Sequence, residues 1–485
     1  MKKFFKIAWR NLWRNKRRTF ITISSIFFAS FFAIIMRSFQ LGTYNHMLNN
    51  IVTQFSGHLQ VQNVDYFDDP SIDNSIVYNE DIIKKLSDIK QISFFVPRIQ
   101  TGVLASSGTN SKVAAVMGVD FVKENQISSI EKRIVKYIID TNVINNIATE
   151  LPPELVKKIQ HYKNKAYTNR SDLSADLSAD GIDTAKYLEQ IVKASELPNV
   201  DLNNIDDEIL VGTKLAQYLN LSIGDSLIMI GQGFHGASAV GKFKITGFVK
   251  FPTDAFNSRF VYMSLKSCQN FLSAYEINGN DTSFYVNYIV VNTKYQASLQ
   301  ATDYQKIMKV KDEIEKTLNN PEINVVGWKN LNKDLIQGIE IDNGSGKTIL
   351  GVLYLIIAFG ILGTVMMMIA ERKREFGVMI AIGMKKSKLS IILSLEMFYM
   401  GLLGVISAII ITAPIIIVGH LYPITLHGEI SESMGQYNME PVMPFAWFGS
   451  YIPFQVLIVL VLVGISLIYA LLKVRKLKVV DSLRS

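Results

Sequence analysis

Cysteine is nearly absent from this 485-residue chain: Cys268 stands alone, so no intrachain disulfide can form. A large domain must then be held by its own core. Metal-ligand spacing is missing as well. The six histidines are scattered, none has a second ligand at helical spacing, and no Cys/His cluster exists, so no metal is expected. No nucleophile, base and acid recur as a set, so the chain is not expected to be an enzyme. One segment comes close to a phosphate-binding loop. Asp342-Asn-Gly-Ser-Gly-Lys-Thr348 ends correctly, but the glycine needed five residues before Gly346 is Ile341, and an apolar run follows at once. No catalytic residue, nucleotide or other cofactor is therefore expected in this chain.

Apolar residues make up 49% of the sequence, and mean hydropathy is +0.21. They gather in four long blocks, which predicts a membrane protein. The net charge of +8 is unevenly spread. Residues 1–18 carry eight bases and no acid, 371–388 six bases and two acids, and 473–485 five bases and one acid. Everything else is net acidic. Basic segments beside apolar runs mark the cytoplasmic side, so the excess reads as topology and no nucleic-acid partner is expected. The segment 420–450 has no Lys or Arg, as an outer loop should.

The expected fold class is a membrane α-helical bundle of four transmembrane helices plus a large α+β extracytoplasmic domain of two subdomains. Residues 1–18 form a cytoplasmic amphipathic helix, with Phe5, Trp9 and Trp13 on one stripe, suited to the headgroup layer of the membrane lipid. The transmembrane helices take 19–42, 348–370, 389–419 and 451–472. The outer domain takes 43–347, the cytoplasmic loop 371–388, the outer loop 420–450 and the cytoplasmic tail 473–485. On the first helix and its extension, Phe32, Ile35, Met36 and Phe39 share a face. It either lines a substrate cavity or packs and meets lipid in the ordinary way. Arg37 either snorkels to the headgroups or meets an anionic group of a substrate.

Within the outer domain, an α/β part is expected over about 50–130 and 284–330, and a β-rich part over about 208–283. Between them, 132–207 reads as a helical insertion. Its duplicated Leu-Ser-Ala-Asp, ending at Asp180, suggests a mobile centre near 169–181.

The most patterned stretch is Glu371-Arg-Lys-Arg-Glu-Phe-Gly-Val-Met-Ile-Ala-Ile-Gly383 and the lysines behind it. Phe376, Met379 and Ile380 recur at i, i+3, i+4 and predict one face of a short helix. Gly383 supplies its end. Such a helix between two spans is a handle for a soluble partner. In the following span, Glu396 either pairs with a base of this segment or meets headgroups.

Glu371-Arg372, Glu375-Phe376-Gly377, Ala381 and Gly383 together resemble the signature of FtsX/MacB-type ABC transporter permeases. The start Ala8-Trp-Arg-Asn-Leu-Trp-Arg-Asn-Lys-Arg-Arg-Thr19 is similar to their N-termini. Leu221-Ser-Ile-Gly-Asp225 and Phe243-Lys-Ile-Thr-Gly247 resemble turns and strands of the MacB-like periplasmic core domain. The resemblance implies a bacterial inner-membrane permease, a second permease subunit as homo- or heterodimer partner, and separate ABC ATPase subunits that bind ATP and Mg. Glu371, Arg372, Arg374, Glu375, Phe376, Gly377, Met379, Ile380 and Gly383 would then form the ATPase-coupling helix. Gly57-His-Leu-Gln-Val61 is most similar to the lipoprotein-release (LolC/LolE) branch. That implies a lipoprotein substrate, held near Phe32, Ile35, Met36, Arg37 and Phe39, and a periplasmic carrier. The alternatives are FtsX-type mechanotransmission to a cell-wall hydrolase, and efflux of peptides or drugs.

Overall fold

The computed structural model describes residues 2–14, 16–251, 253–279, 281–299, 301–426 and 442–476. The middle of the 420–450 loop, 427–441, and the end of the basic tail, 477–485, lie outside the described residues. Two compact units emerge. One gathers the described parts of 1–44, 335–424 and 442–485, the other those of 45–334 and 425–441.

The first unit is helical. Its elements are α1 (Lys2–Arg14), α2 (Lys16–Leu48), α3 (Lys333–Glu371), α4 (Lys373–Ala381), α5 (Lys386–Leu421) and α6 (Tyr451–Arg475). Four of them, α2, α3, α5 and α6, are long and apolar enough to cross a membrane. At about 1.5 Å per residue, α2, α3 and α5 exceed a hydrocarbon core of about 30 Å by several turns. Both α2 and α3 therefore run well past the spans expected from hydropathy. All six helices contribute to one core, through Leu12, Ile26, Val365, Phe376, Met397 and Val463. Gly404 lets α5 touch α2, since a Cβ there would lie 2.7 Å from Ile26.

The would-be phosphate loop is helical, inside α3. Its residues serve helix packing. Arg37 Nη1 donates to Asn343 Oδ1 at 2.8 Å, and the Tyr44 hydroxyl to Asp342 Oδ2 at 2.6 Å. Gly346 sits under Gln40, whose amide would meet any Cβ there.

The second unit is built on a nine-stranded sheet. Its strands are β1 (Leu59–Asn63), β2 (Ile92–Ser107), β3 (Asn110–Val119), β4 (Glu208–Gly212), β5 (Ser226–Gln232), β6 (Ser238–Val249), β7 (Phe260–Ser264), β8 (Tyr288–Thr293) and β9 (Ile323–Gly327). Their order is β9-β1-β8-β2-β3-β7-β4-β6-β5. The last strand pairs back onto β2, with Val103 opposite Gly231, so six strands close into a barrel. Closure leaves no open edge in that part. The barrel encloses Val103, Val116, Leu227, Met229, Val261 and Met263. The remaining strands β8, β1 and β9 form the α/β part, covered by the helix Ala301–Leu318. The two parts share β2, a single 16-residue strand running through Pro97. Pairing with β3 begins only at Arg98 opposite Val119, so Pro97 faces an edge that needs no donor there.

Within 132–207, helices including Thr141–Ile147, Pro153–Gln160 and Thr184–Ser195 pack around a core of their own, from Ile139 to Val192. The expected mobile centre is instead the helix Arg170–Ala179. Asn169 caps it by accepting from the Asp172 amide. The duplicated leucines, Leu173 and Leu177, lie four residues apart on one face, and both are fully buried. What reads as a polar repeat is an amphipathic turn and its successor.

Two buried groups organise the start of this unit. A π-helical turn, Asn49–Ser56, ends at Gly57 with φ +78°. His58 follows, buried, and its Nδ1 accepts from the Thr293 amide at 3.0 Å. Burial pulls its pKa down to about 4, so it is neutral. Arg98 and Glu124 form a fully buried ion pair at 2.6 Å. Burial opposes the charge on Arg98, but Glu124 outweighs it and raises the guanidinium pKa. Arg98 also donates to the Phe55 carbonyl, which fixes the π-helical turn to β2.

Candidate functional site

The segment between α3 and α5 is a nine-residue helix set between two breaks. Arg372 interrupts the helix at φ −98° and ψ 9°. At the other end the Gly383 amide donates to Ile380 O and the Met384 amide to Met379 O, both at 3.0 Å. With Gly383 at φ +100°, this is a Schellman ending, a conformation that glycine adopts without a Cβ penalty.

The expected docking face points inward. Phe376 is 1% exposed and belongs to the core of the bundle, with the Arg372 guanidinium 5.2 Å from its ring. Met379 and Ile380 pack partly buried against the same core. Gly377 is buried beside them. The physical reason is that the strongest apolar stripe of a short helix goes to the nearest core. The outward face is different. Val378 is 41% and Ile382 82% exposed, alongside exposed Glu371, Arg374 and Glu375. Arg374, Val378 and Ile382 follow at i, i+4, i+8 along one side. In the sequence that stripe is hidden because residues 378–382 are apolar throughout, and an unbroken apolar run has no period to read.

A polar network adjoins that face, buried at Arg372 and Glu396 and exposed at Arg14 and Glu375. Arg372 Nη1 donates to Glu396 Oε2 at 2.6 Å, and Arg372 Nε to Glu375 Oε2 at 3.1 Å. Asn11 Nδ2 donates to Glu396 Oε1 at 2.8 Å, and Arg14 pairs with Glu375 at 2.5 Å. Glu396 thus pairs with a base of the segment, one of its two expected roles. Partial burial alone would raise the Glu375 pKa, but the hydrogen bonds from Arg372 and Arg14 hold its carboxyl below the usual range. Asn11 and Arg14 were not singled out by the sequence, where they read only as part of a basic N-terminus. Their i, i+3 spacing on α1 was the available signal.

The candidate cavity residues on α2 do not share one environment. Phe32 is half-exposed and stacks on Phe28. Ile35 packs partly buried against the cluster of Ile34, Ile416 and Tyr451. Met36 is half-buried, and Phe39 lies 6.1 Å from Phe445. Arg37 is tied to α3 through Asn343.

Residues 347–479 match the FtsX family, described as FtsX-like permease C-terminal. That region holds α4 and its network partners Arg372, Glu375 and Glu396. No curated protein matches the chain. Two solved structures are similar to it. One is the periplasmic region of MacB from Actinobacillus actinomycetemcomitans, at 11% identity and a TM-score of 0.29, covering 58% of this chain and 94% of that one. The other is the extracellular domain of the noncanonic ABC-type transporter YknZ from Gram-positive bacteria, at 9% identity and a TM-score of 0.27, covering 56% of this chain and 99% of that one.

Proposed function

We propose that the chain is the permease subunit of an ABC transporter in a bacterial inner membrane, with α4 as its ATPase-coupling helix. The observation that carries this reading is the exposed pair Val378 and Ile382, on a short braced helix inside the FtsX-like region. Exposed apolar anchors ringed by charge fit a groove on a soluble partner. Arg374 and Glu371 sit beside them to set register. Phe376 fixes the helix from beneath and is not itself the anchor. In this reading both termini and α4 face the cytoplasm, and the large domain faces the periplasm. ATP and Mg bind to the partner ATPase, and a second permease subunit completes the complex.

For the substrate, we propose acylated proteins, extracted from the membrane and passed to a periplasmic carrier. Each acyl CH₂ withdrawn from lipid costs about 0.8 kcal/mol, so extraction of a multiply acylated protein needs an energy source. On α2, Phe32 is half-exposed and Met36 partly so, which leaves both able to meet such chains. The test is a photo-crosslinker at either position in native membranes. Capture of acylated proteins supports the reading. Capture of phospholipid alone would contradict it.

A further inference from the structure

We infer that α1 is a working part of the coupling element, with Asn11 and Arg14 as positioning residues that clamp α4 to α5. The role of this clamp in transport rests on the coupling reading above, while the clamp itself rests on geometry alone.

A nine-residue helix is marginal in isolation, so neighbours must set the position of α4. Both of its ends are breaks, at Arg372 and at Gly383. A load applied at Val378 and Ile382 would pivot α4 about Arg372 unless something braced the joint. The Arg372 side chain supplies one brace, because it donates both to Glu375, on α4, and to Glu396, on α5. It is one planar group, so the two carboxylates are held at a fixed separation.

The second brace comes from the far end of the sequence. Asn11 takes the Glu396 oxygen that Arg372 leaves open, and Arg14 takes Glu375. Asn11 and Arg14 stand i, i+3 on one face of α1, as Arg372 and Glu375 do at the start of α4. These contacts make two rungs across one ladder: Asn11 reaches Arg372 through Glu396, and Arg14 meets Glu375 directly. The helix α1 is itself anchored: Ala8 and Leu12 are buried, and the Trp9 ring meets Tyr399 of α5 edge-on at 5.4 Å. A displacement of α4 is then carried by α1 and α5 together and is not lost at the joint. This also gives α1 a purpose that lying in the headgroup layer does not require. A surface helix needs no asparagine aimed at a buried carboxylate.

Spin labels at Arg10 and Ile382, both exposed, report the clamp in the full chain in lipid nanodiscs. The native cysteine is buried and does not interfere. The wild type gives a single narrow distance. Asn11→Ala with Arg14→Ala loses it and gives a broad distribution, while a control pair at Ile410 and Val461 on α5 and α6 stays unchanged. Arg14→Lys, which keeps the charge, restores much of the narrow component. Should the double variant alter the control pair, Asn11→Asp serves instead, since it keeps the shape and sets a like charge against Glu396. A narrow distance that persists in these variants with the control intact overturns the clamp. Failure of the coupling reading looks different: no ATPase accompanies the wild-type chain, and the spin-label result is unaffected.

Discussion

Arg372 and Glu396 lie 24 residues apart and meet in a 2.6 Å ion pair, with side chains only 7% and 2% exposed. Such a pair is worth little net, because both charges are desolvated, but leaving one partner alone is costly. Glu396→Leu should destabilise the bundle by about 3–5 kcal/mol, since Arg372 is then buried opposite an apolar side chain. Arg372→Met combined with Glu396→Leu should recover most of that loss. Thermal unfolding in detergent measures both, and additive losses in the double variant would contradict the pairing.

His58 makes the large domain acid-sensitive. Its folded pKa is near 4, below its unfolded value of 6.5, because burial disfavours the charged ring. The unfolded state then binds more protons between those values, so stability is fully present above pH 6.5 and falls as pH drops toward 4. The whole loss amounts to about 3 kcal/mol. Urea unfolding of the large-domain signal across this range should show the slope. His58→Gln should flatten it, and an unchanged slope would remove His58 as its source.

Leu177 is fully buried in the insertion core. Leu177→Ala should cost that core about 2–5 kcal/mol and open residues 170–195 to protease. Wild-type cleavage as fast as that of the variant would mean that this helix is not formed.

Ser171 and Ser387 are both exposed, and the proposed topology sets one in the periplasm and the other in the cytoplasm. With the native thiol buried and its pKa raised by desolvation, cysteines placed at the two sites can be read separately. An impermeant reagent added from the periplasmic side should label position 171 and spare 387. Equal labelling of both would contradict the four-span arrangement.

The four long apolar helices were legible because long apolar runs are local signals. The insertion was legible as helical but not as ordered, because Leu173 and Leu177 form a stripe only once a helix exists to align them. The closed barrel was not legible. Its closure depends on β2 pairing with β5 across more than a hundred residues, and no periodicity encodes that contact. The helix end at Gly383 could be read from one residue. Which face looks outward could not, because Phe376 competes for two burial sites, the bundle core and a partner groove. The core, being part of the same chain, is always present to win.

The coupling claim is tested most directly by the ATP hydrolysis that accompanies the full-length chain when it is purified from its native membranes. Mg-dependent ATPase activity is expected with the wild type, and loss of about tenfold or more with Val378→Asp and Ile382→Asp together, as when an anchor worth about 2 kcal/mol is replaced by a charge. The bundle should stay folded, since both side chains already face outward. Equal activity in wild type and double variant, or none with the wild type, would contradict it.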